Sequence, residues 1–539
     1  MPDQRLAHGG EHARMDFART GSEEETSGWR EYGHVGYTRA RGARGGADYC
    51  GNVARMSIRG ALDPSLRERL RRTLVGVVGA DAVLAERADL RVYECDGYTL
   101  ERSVPSLVVL PGTTDEVARV VRAAAALDVP FVPRGAGTGL SGGCLPDVAP
   151  LMICTSRMRR IRAIDVPNRR VVAEAGVVNA AVSRAVREGG VHYVPDPSSQ
   201  SACTIGGNVA ENSGGPHTLK YGVTVNHVLG LELVLADGEV VELGGQIEDQ
   251  AGYDLTGVVC GSEGTFGIVT AATLRLEPLP EAVTTMLAVF ETVAAATATV
   301  SRIIAAGIVP AALEMMDRTI VEAVEAAYHF GFPTDAGAVL IVELDGPAAG
   351  LAELAARIDD VCRVSGARSV RIAADERERA ALWKSRKRAF GAVGRLSPNY
   401  CTQDGVVPRT RLPEILVRIE DAAARHDLRI GNVFHAGDGN IHPIILFDER
   451  DRAQTARVLA AGREILEACV ELGGSVTGEH GIGVEKIREL GLTFGPDDLE
   501  LMRRVRGVFD PDGRANPGKI FPTAGGCVER WSPGRQAAL

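Results

Sequence analysis

The stretch PRGAGTGLSGG at positions 133–143 packs five glycines into eleven residues, and Gly137, Gly139 and Gly142 match the pattern GxGxxG. On a Rossmann unit that pattern opens a helix whose N-terminus holds a pyrophosphate. Here the continuation GCLPDVAP (143–150) has two prolines and no helical period. A Rossmann nucleotide site is therefore excluded. What remains is a loop rich in backbone N–H groups, able to cradle an anion without a helix.

Two further glycine clusters follow, TIGGNVAENSGG (204–215) and GSEGTFGIVT (261–270). A single cluster reads as a tight turn. Three of them between 133 and 270, two flanked by Asn, Ser or Thr donors, point instead to a large ligand with a phosphate chain. Around them, strand-like SLVVLPG (106–112) and VPFVPRG (129–135) enclose helical TDEVARVVRAAAALD (114–128), with Asp115 near its start. LGLELVLADGEVVEL (229–243) carries an Asp237-Gly238 hairpin turn. The rhythm resumes with TTMLAVFE (284–291), AGAVLIVELDG (336–346), ARSVRIAA (367–374) and a long helix through Arg386. Two α/β units, each with its own sheet, are the simplest partition.

Composition narrows the class. The 539 residues include 63 glycines, carry a net charge of −10, and are 45% hydrophobic and 24% charged. These fractions are ordinary for globular chains, whereas the glycine content is not. The acidic balance disfavours nucleic acid, which needs a basic face. Ten cysteines stand singly, with no CxxC pair and no secretory leader ahead of them. Reduced thiols and a cytoplasmic location are expected, and a cysteine-ligated cluster within this chain is not. The most apolar long stretch, 283–313, is broken by Glu291, Arg302 and Pro310, so no membrane span is expected. Residues 1–55 show no sustained period and read as a disordered extension. Met56 precedes an amphipathic helix with a cap at Asp63 and Pro64, and is the expected native start.

The chemistry concentrates in NVFHAGDGNIHPIILF (432–447) and GSVTGEHGIG (474–483). A two-residue turn at Asp438-Gly439 sets His435 opposite His442, and opposed side chains on one face lie about 4.5–5.5 Å apart at Cβ. Glu479 and His480 sit in a glycine-flanked loop with no packing period of its own. Two His and one carboxylate make a borderline ligand set suited to zinc or manganese.

These segments carry a resemblance. PRGAGTGLSGG, then VPDPSSQSACTIGGNVAENSGGPHTLKYGVT (194–224), GYDLTGVVCGSEGTFGIVT (252–270) and DPDGRANPGKIFP (510–522) resemble the vanillyl-alcohol-oxidase/PCMH flavoprotein family over about residues 56–522. The resemblance implies an α+β fold: a two-part PCMH-type FAD-binding domain and a cap domain whose mainly antiparallel sheet is flanked by helices. It implies an extension (1–55), a helical segment (56–100), the FAD domain (101–281), the cap with the metal site (282–485), a returning helical segment (486–522) and a flexible tail (523–539). The implied FAD contacts are Pro133, Arg134, Gly135, Ala136, Gly137, Thr138, Gly139, Leu140, Ser141 and Gly142 around the pyrophosphate. Pro195, Asp196, Ser198, Ser199, Thr204, Gly206, Gly207 and Asn208 follow along the flavin, with Gly264, Gly267, Ile268, Val269 and Asn516. Members that bind flavin covalently carry a histidine, in the form RGGGH, where this chain has Thr138, so noncovalent FAD is expected.

HxGDGNxH and GEHG resemble the signatures of the flavin-dependent D-2-hydroxy-acid dehydrogenase branch, most of all bacterial glycolate oxidase catalytic subunits and then D-lactate dehydrogenases. The resemblance implies that His435, His442 and Glu479 are metal ligands and that His480 is the base. Arg386 then holds the substrate carboxylate, and hydride passes from Cα to flavin N5. Without the resemblance Arg386 cannot be singled out from Arg377, Arg379, Lys384, Lys387 and Arg388 on the same helix. D-2-hydroxyglutarate members carry a lysine where NYCTQDGVVP (399–408) has Thr402 or Gln403, which favours a small acid such as glycolate or D-lactate over that dicarboxylate. An iron–sulfur partner subunit is implied, and with it peripheral membrane association as one option. Two other classes stand beside this reading. A noncatalytic FAD-binding partner subunit would lack the histidine hairpin and GEHG, and a metallohydrolase would leave the glycine loops idle.

Overall fold

The computed structural model describes residues 61–247 and 251–522. The expected extension at 1–55, the expected start at Met56 and the tail 523–539 lie outside them. The first described helix, Pro64–Val78, starts as its sequence requires, with the Asp63 carboxylate accepting the N–H groups of Ser65 and Leu66. Thr113 does the same for helix Thr114–Ala125, accepting the N–H of Glu116.

Four short strands form the first sheet: β1 (Val83–Leu84), β2 (Leu107–Val109), β3 (Phe131–Arg134) and β4 (Leu151–Cys154), in the order β1-β2-β4-β3. Strands β2 and β3 run parallel to β4. β2 and β4 are buried along their whole length, as parallel strands covered on both faces must be. β3 runs directly into the first glycine loop, and no helix begins before Asn179–Val186. The loop is therefore not a Rossmann turn.

The second sheet is antiparallel throughout. It contains β5 (Ile161–Asp165), β6 (Arg170–Glu174), β8 (Val228–Val234), β9 (Val240–Gly244) and β10 (Ile268–Arg275), in the order β5-β6-β10-β8-β9. A ribbon of β7 (Val191–His192) and β11 (Glu277–Pro278) lies apart from it. The turn between β8 and β9 carries Gly238 at φ +85°. The expectation of one sheet per unit is thus too simple for this half. Strand propensity alone does not separate buried parallel strands from half-exposed antiparallel ones.

The third sheet comes from 282–447: β12 (Ala282–Phe290), β13 (Ala312–Asp317), β14 (Ala338–Gly346), β15 (Ala367–Ile372), β16 (Asn399–Thr402), β17 (Gly405–Val406), β18 (Arg429–His435), β19 (Asn440–Ile441) and β20 (Pro443–Phe447). Its order is β15-β12-β14-β13-β18-β19-β17, with β20 beside β18 and β16, and every pair is antiparallel. Alternate residues of β12 feed opposite faces. Met286, Ala288 and Phe290 pack with helices Val293–Ala305, Leu351–Val364, Leu412–His426 and Arg452–Glu471. Leu287 and Val289 pack with helices Arg318–Tyr328, Glu376–Lys387 and Ala389–Val393. Covering both faces explains why these strands read as unbroken apolar runs. The architecture is α+β, and among the described residues no helix is long and apolar enough to cross a membrane.

Candidate active site

The three glycine loops converge on one cavity of about 360 Å³. Its wall contains every residue of 133–140, together with Ser198, Ser199, Thr204, Gly206, Gly207, Asn208, Gly264, Gly267, Ile268 and Val269. Close approach accounts for the glycines. A Cβ on Gly135 would stand 2.5 Å from Thr204 Oγ1, and one on Gly206 would stand 2.7 Å from the Ala175 Cβ. The Thr204 hydroxyl is buried without a hydrogen-bond partner among the described residues. Three glycine loops around one cavity, with an unpaired hydroxyl on its wall, fit a dinucleotide flavin.

Five expected cofactor residues stand behind that wall. The Ser141 carbonyl accepts the N–H of Val484, and a Cβ on Gly142 would meet Val484 Cγ2 at 2.5 Å. The Pro195 carbonyl accepts Asn179 Nδ2–H, and Asp196 Oδ1 lies 3.0 Å from His217 Nδ1. Asn516, at φ +43°, donates Nδ2–H to the carbonyls of Gly143 and Glu263. These residues join loops together, while Glu211, Glu263, Lys387, Phe390 and Tyr400, which the sequence reading left aside, reach the cavity.

His442, Glu479 and His480 line the same cavity, and His435 lies directly behind them. The hairpin that brings them together differs from its expected form. The turn spans four residues, 436–439, and His435 pairs with Asn440 rather than with His442. The change in register is two residues, which preserves the face of the sheet, so His442 becomes the diagonal neighbour of His435. Their ring centroids are 5.2 Å apart. Gly439, at φ +77°, would place a Cβ 2.1 Å from the Val407 carbonyl oxygen.

One nitrogen from each of His435 and His442 and an oxygen of Glu479 all lie within 4.8 Å of one another. His435 Nε2 is 3.3 Å from Glu479 Oε1. His442 Nε2 is 3.5 Å from that oxygen and from Asp404 Oδ1, outside hydrogen-bonding geometry, and both its ring nitrogens lack partners. Burial alone would drive the His435 pKa down, but Glu314 and Glu479 outweigh it and hold it up at about 10. Burial likewise opposes ionisation of Glu479, and His435 pulls it down to about 2. The group favours positive charge at its centre. Two imidazoles and a carboxylate in that field fit a divalent ion.

Asp404 shapes the loop that carries Glu479 and His480. Its carboxylate accepts the Thr477 hydroxyl at 2.7 Å and the N–H groups of Gly478 and His480 at 2.9 and 3.0 Å, and Lys486 Nζ lies 3.2 Å away. Against the cost of burial, Lys486 holds this carboxylate well below its usual range. His480 stacks on His442 with centroids 4.9 Å apart, and its Nδ1 has no partner. Burial pushes His480 down to about 4, so it is neutral at neutral pH.

Arg386 is 1% exposed and does not reach the cavity wall. Its Nε–H donates to Glu314 Oε2 at 2.6 Å, while Nη1 and Nη2 are buried without partners. Glu314 Oε1 lies 2.7 Å from His435 Nδ1. Glu314 and Asp404, which support the histidine cluster from behind, are further residues that sequence reasoning missed. The one signal for Glu314 was an acid inside the apolar strand ALEMMD, all of it buried.

Comparisons with known proteins agree with this construction. The FAD binding domain family matches residues 105–244, and the C-terminal domain family of FAD linked oxidases matches 279–520. Glycolate oxidase subunit GlcD of Escherichia coli (strain K12) is 47% identical over 437 residues, 81% of this chain and 88% of that protein. D-lactate dehydrogenase of Anaerostipes hadrus is 32% identical, covering 77% and 89% respectively. The crystal structure of p-cresol methylhydroxylase superposes with a TM-score of 0.72 over 85% of this chain and 97% of that one. At 17% identity it shows the fold alone.

Proposed function

The chain belongs to the FAD-linked oxidases, and we propose that it oxidises a small 2-hydroxy acid, glycolate or D-lactate, to the 2-oxo acid with a divalent ion at His435, His442 and Glu479. It is an FAD-linked oxidoreductase acting on hydroxy acids. The observation that carries the finer reading is that His442 and Glu479, with His435 grouped directly behind them, lie on the cavity that the glycine loops enclose.

When bound, FAD supplies the hydride acceptor and the ion supplies positive charge for the substrate's hydroxyl oxygen. The chain's own residues do the remaining work. The loops 133–143, 204–215 and 261–270 hold FAD noncovalently, with Thr138 where covalent members carry histidine. His480, neutral and unpartnered at Nδ1, takes the hydroxyl proton. Arg386, its two Nη groups unpaired but buried behind the cavity wall, is the carboxylate partner that the resemblance implies. Lys387 lines the cavity itself, so it is the competing carboxylate partner. A raised KM in Arg386→Met but not in Lys387→Met supports the first assignment, and the reverse pattern supports the second.

The preference for a small acid rests on Thr402 and Gln403. Gln403 Nε2 donates to Glu485 at 3.2 Å, so this position offers no cation to a second carboxylate. Electrons leave through a separate iron–sulfur subunit, consistent with single cysteines and no CxxC pair in this chain. Steady-state assays with an artificial acceptor test the substrate reading. Glycolate or D-lactate should exceed D-2-hydroxyglutarate in kcat/KM by at least about tenfold, or about 1.4 kcal/mol of transition-state discrimination. A preference for the dicarboxylate would overturn it.

A further inference from the structure

We propose that Glu314 is a positioning residue that ties the metal ligand His435 to Arg386, so that one buried carboxylate orients both the ion's ligand and the group assigned to the substrate carboxylate. This rests on the metal reading above. Glu314 lies on β13, directly opposite His435 of β18 in the antiparallel register. It is 1% exposed, between Leu313 and Met315 in a fully buried strand. A carboxylate in such a place is costly unless both oxygens are satisfied. Both are, each by a different part of the site: Oε1 by His435 Nδ1 at 2.7 Å and Oε2 by Arg386 Nε at 2.6 Å.

The geometry has two consequences. An ionised carboxylate only accepts, so Glu314 keeps a proton on His435 Nδ1 and leaves Nε2, which faces Glu479 and His442, as the nitrogen that gives up its proton when an ion binds. With Nε engaged, Arg386 is held with Nη1 and Nη2 as its unspent donors. An ion pair with a purely structural role would need only Arg386. The bond to His435 adds the orientation that histidine ligands require from their surroundings.

Glu314→Gln tests this, because one amide oxygen can accept at only one of the two places. The charged guanidinium takes it, and the amide N–H then faces His435 Nδ1 and drives the proton to Nε2, the metal side. FAD-loaded protein stripped with a chelator is titrated with Zn²⁺ or Mn²⁺ alone against a competing indicator. The wild type should show one tight site, and Glu314→Gln a site weakened about 10–100-fold with FAD content unchanged. In the same metal-free samples, the affinity for the 2-oxo acid, read from the flavin spectrum, should stay near wild type in Glu314→Gln, where Arg386 keeps its acceptor, and fall in Glu314→Ala, where it loses it. A folded, FAD-loaded Glu314→Gln with wild-type metal affinity overturns the proposal. Wild-type protein that takes up no stoichiometric metal overturns the metal reading, and this proposal with it. If the single variant does not fold, Glu314→Leu with Arg386→Met removes the buried pair as a unit and leaves His435 Nδ1 without its acceptor. Weakened metal affinity there supports the proposal, and wild-type affinity overturns it.

Discussion

Glu263 and Gly483 are joined by a 2.7 Å hydrogen bond in which the carboxylate of the third glycine loop accepts a backbone N–H from the segment just after His480; Ile482 N–H sits on the other oxygen, also at 2.7 Å. A Cβ on Gly483 would lie 2.0 Å from the Ser141 carbonyl oxygen of the first loop. The glycine loops and the loop that carries His480 therefore hold each other in place. Glu263→Ala leaves two buried N–H groups without an acceptor, at about 1–3 kcal/mol each. The urea midpoint, followed by flavin fluorescence, should fall accordingly, and an unchanged midpoint would show that the clasp adds nothing.

His480→Ala removes the proposed base and leaves the glycine loops untouched. The variant should purify with normal FAD content, while substrate-driven flavin reduction slows about 10²–10⁴-fold. Stopped-flow absorbance checks both, and wild-type reduction would remove His480 from the mechanism.

His442→Ala takes away a proposed metal ligand whose two ring nitrogens have no hydrogen-bond partner among the described residues. Bound zinc or manganese, measured by elemental analysis, should fall below stoichiometric levels, with FAD retained. In the wild type, chelator treatment should abolish turnover and added metal should restore it. Full activity after complete metal removal would contradict the assignment.

His217 connects the FAD half to the cap sheet, with Asp196 at 3.0 Å and Glu343 at 3.2 Å. Burial pushes its pKa down, but the two carboxylates outweigh it and raise it to about 10 from 6.5. A raised folded-state pKa stabilises the protein fully below pH ~6.5, progressively less as the pH rises, and not at all above about 10. The stability difference between wild type and His217→Gln should shrink across that window. A difference that grows with pH would reverse the sign and refute the pairing.

Much of this site could be read from sequence because its constraints are local. A glycine such as Gly439 or Gly483 is dictated by positive φ and a carbonyl oxygen 2.1 or 2.0 Å from any Cβ, and both show as glycine in a one-dimensional pattern. The histidine hairpin was legible in the same way. Its register was off by two residues, an error that the two-residue side-chain period forgives. Glu314 and Asp404 were not legible. Their partners lie 121 and 72 residues away for Glu314 and 76 residues away for the Asp404 bond to His480 N–H, and only the packed sheet brings them together. The split of the FAD half into two sheets was legible through the family resemblance but not in the strand pattern, since burial of both faces is a property of the assembly and not of the strand.

The central claim is that the cavity passes hydride from a 2-hydroxy acid to flavin. Anaerobic mixing of the FAD- and metal-loaded protein with glycolate or D-lactate tests it most directly. The account predicts that the flavin absorbance bleaches in a single turnover with one 2-oxo acid formed per flavin. An unbleached spectrum with both acids, with FAD and metal occupancy verified, would contradict it.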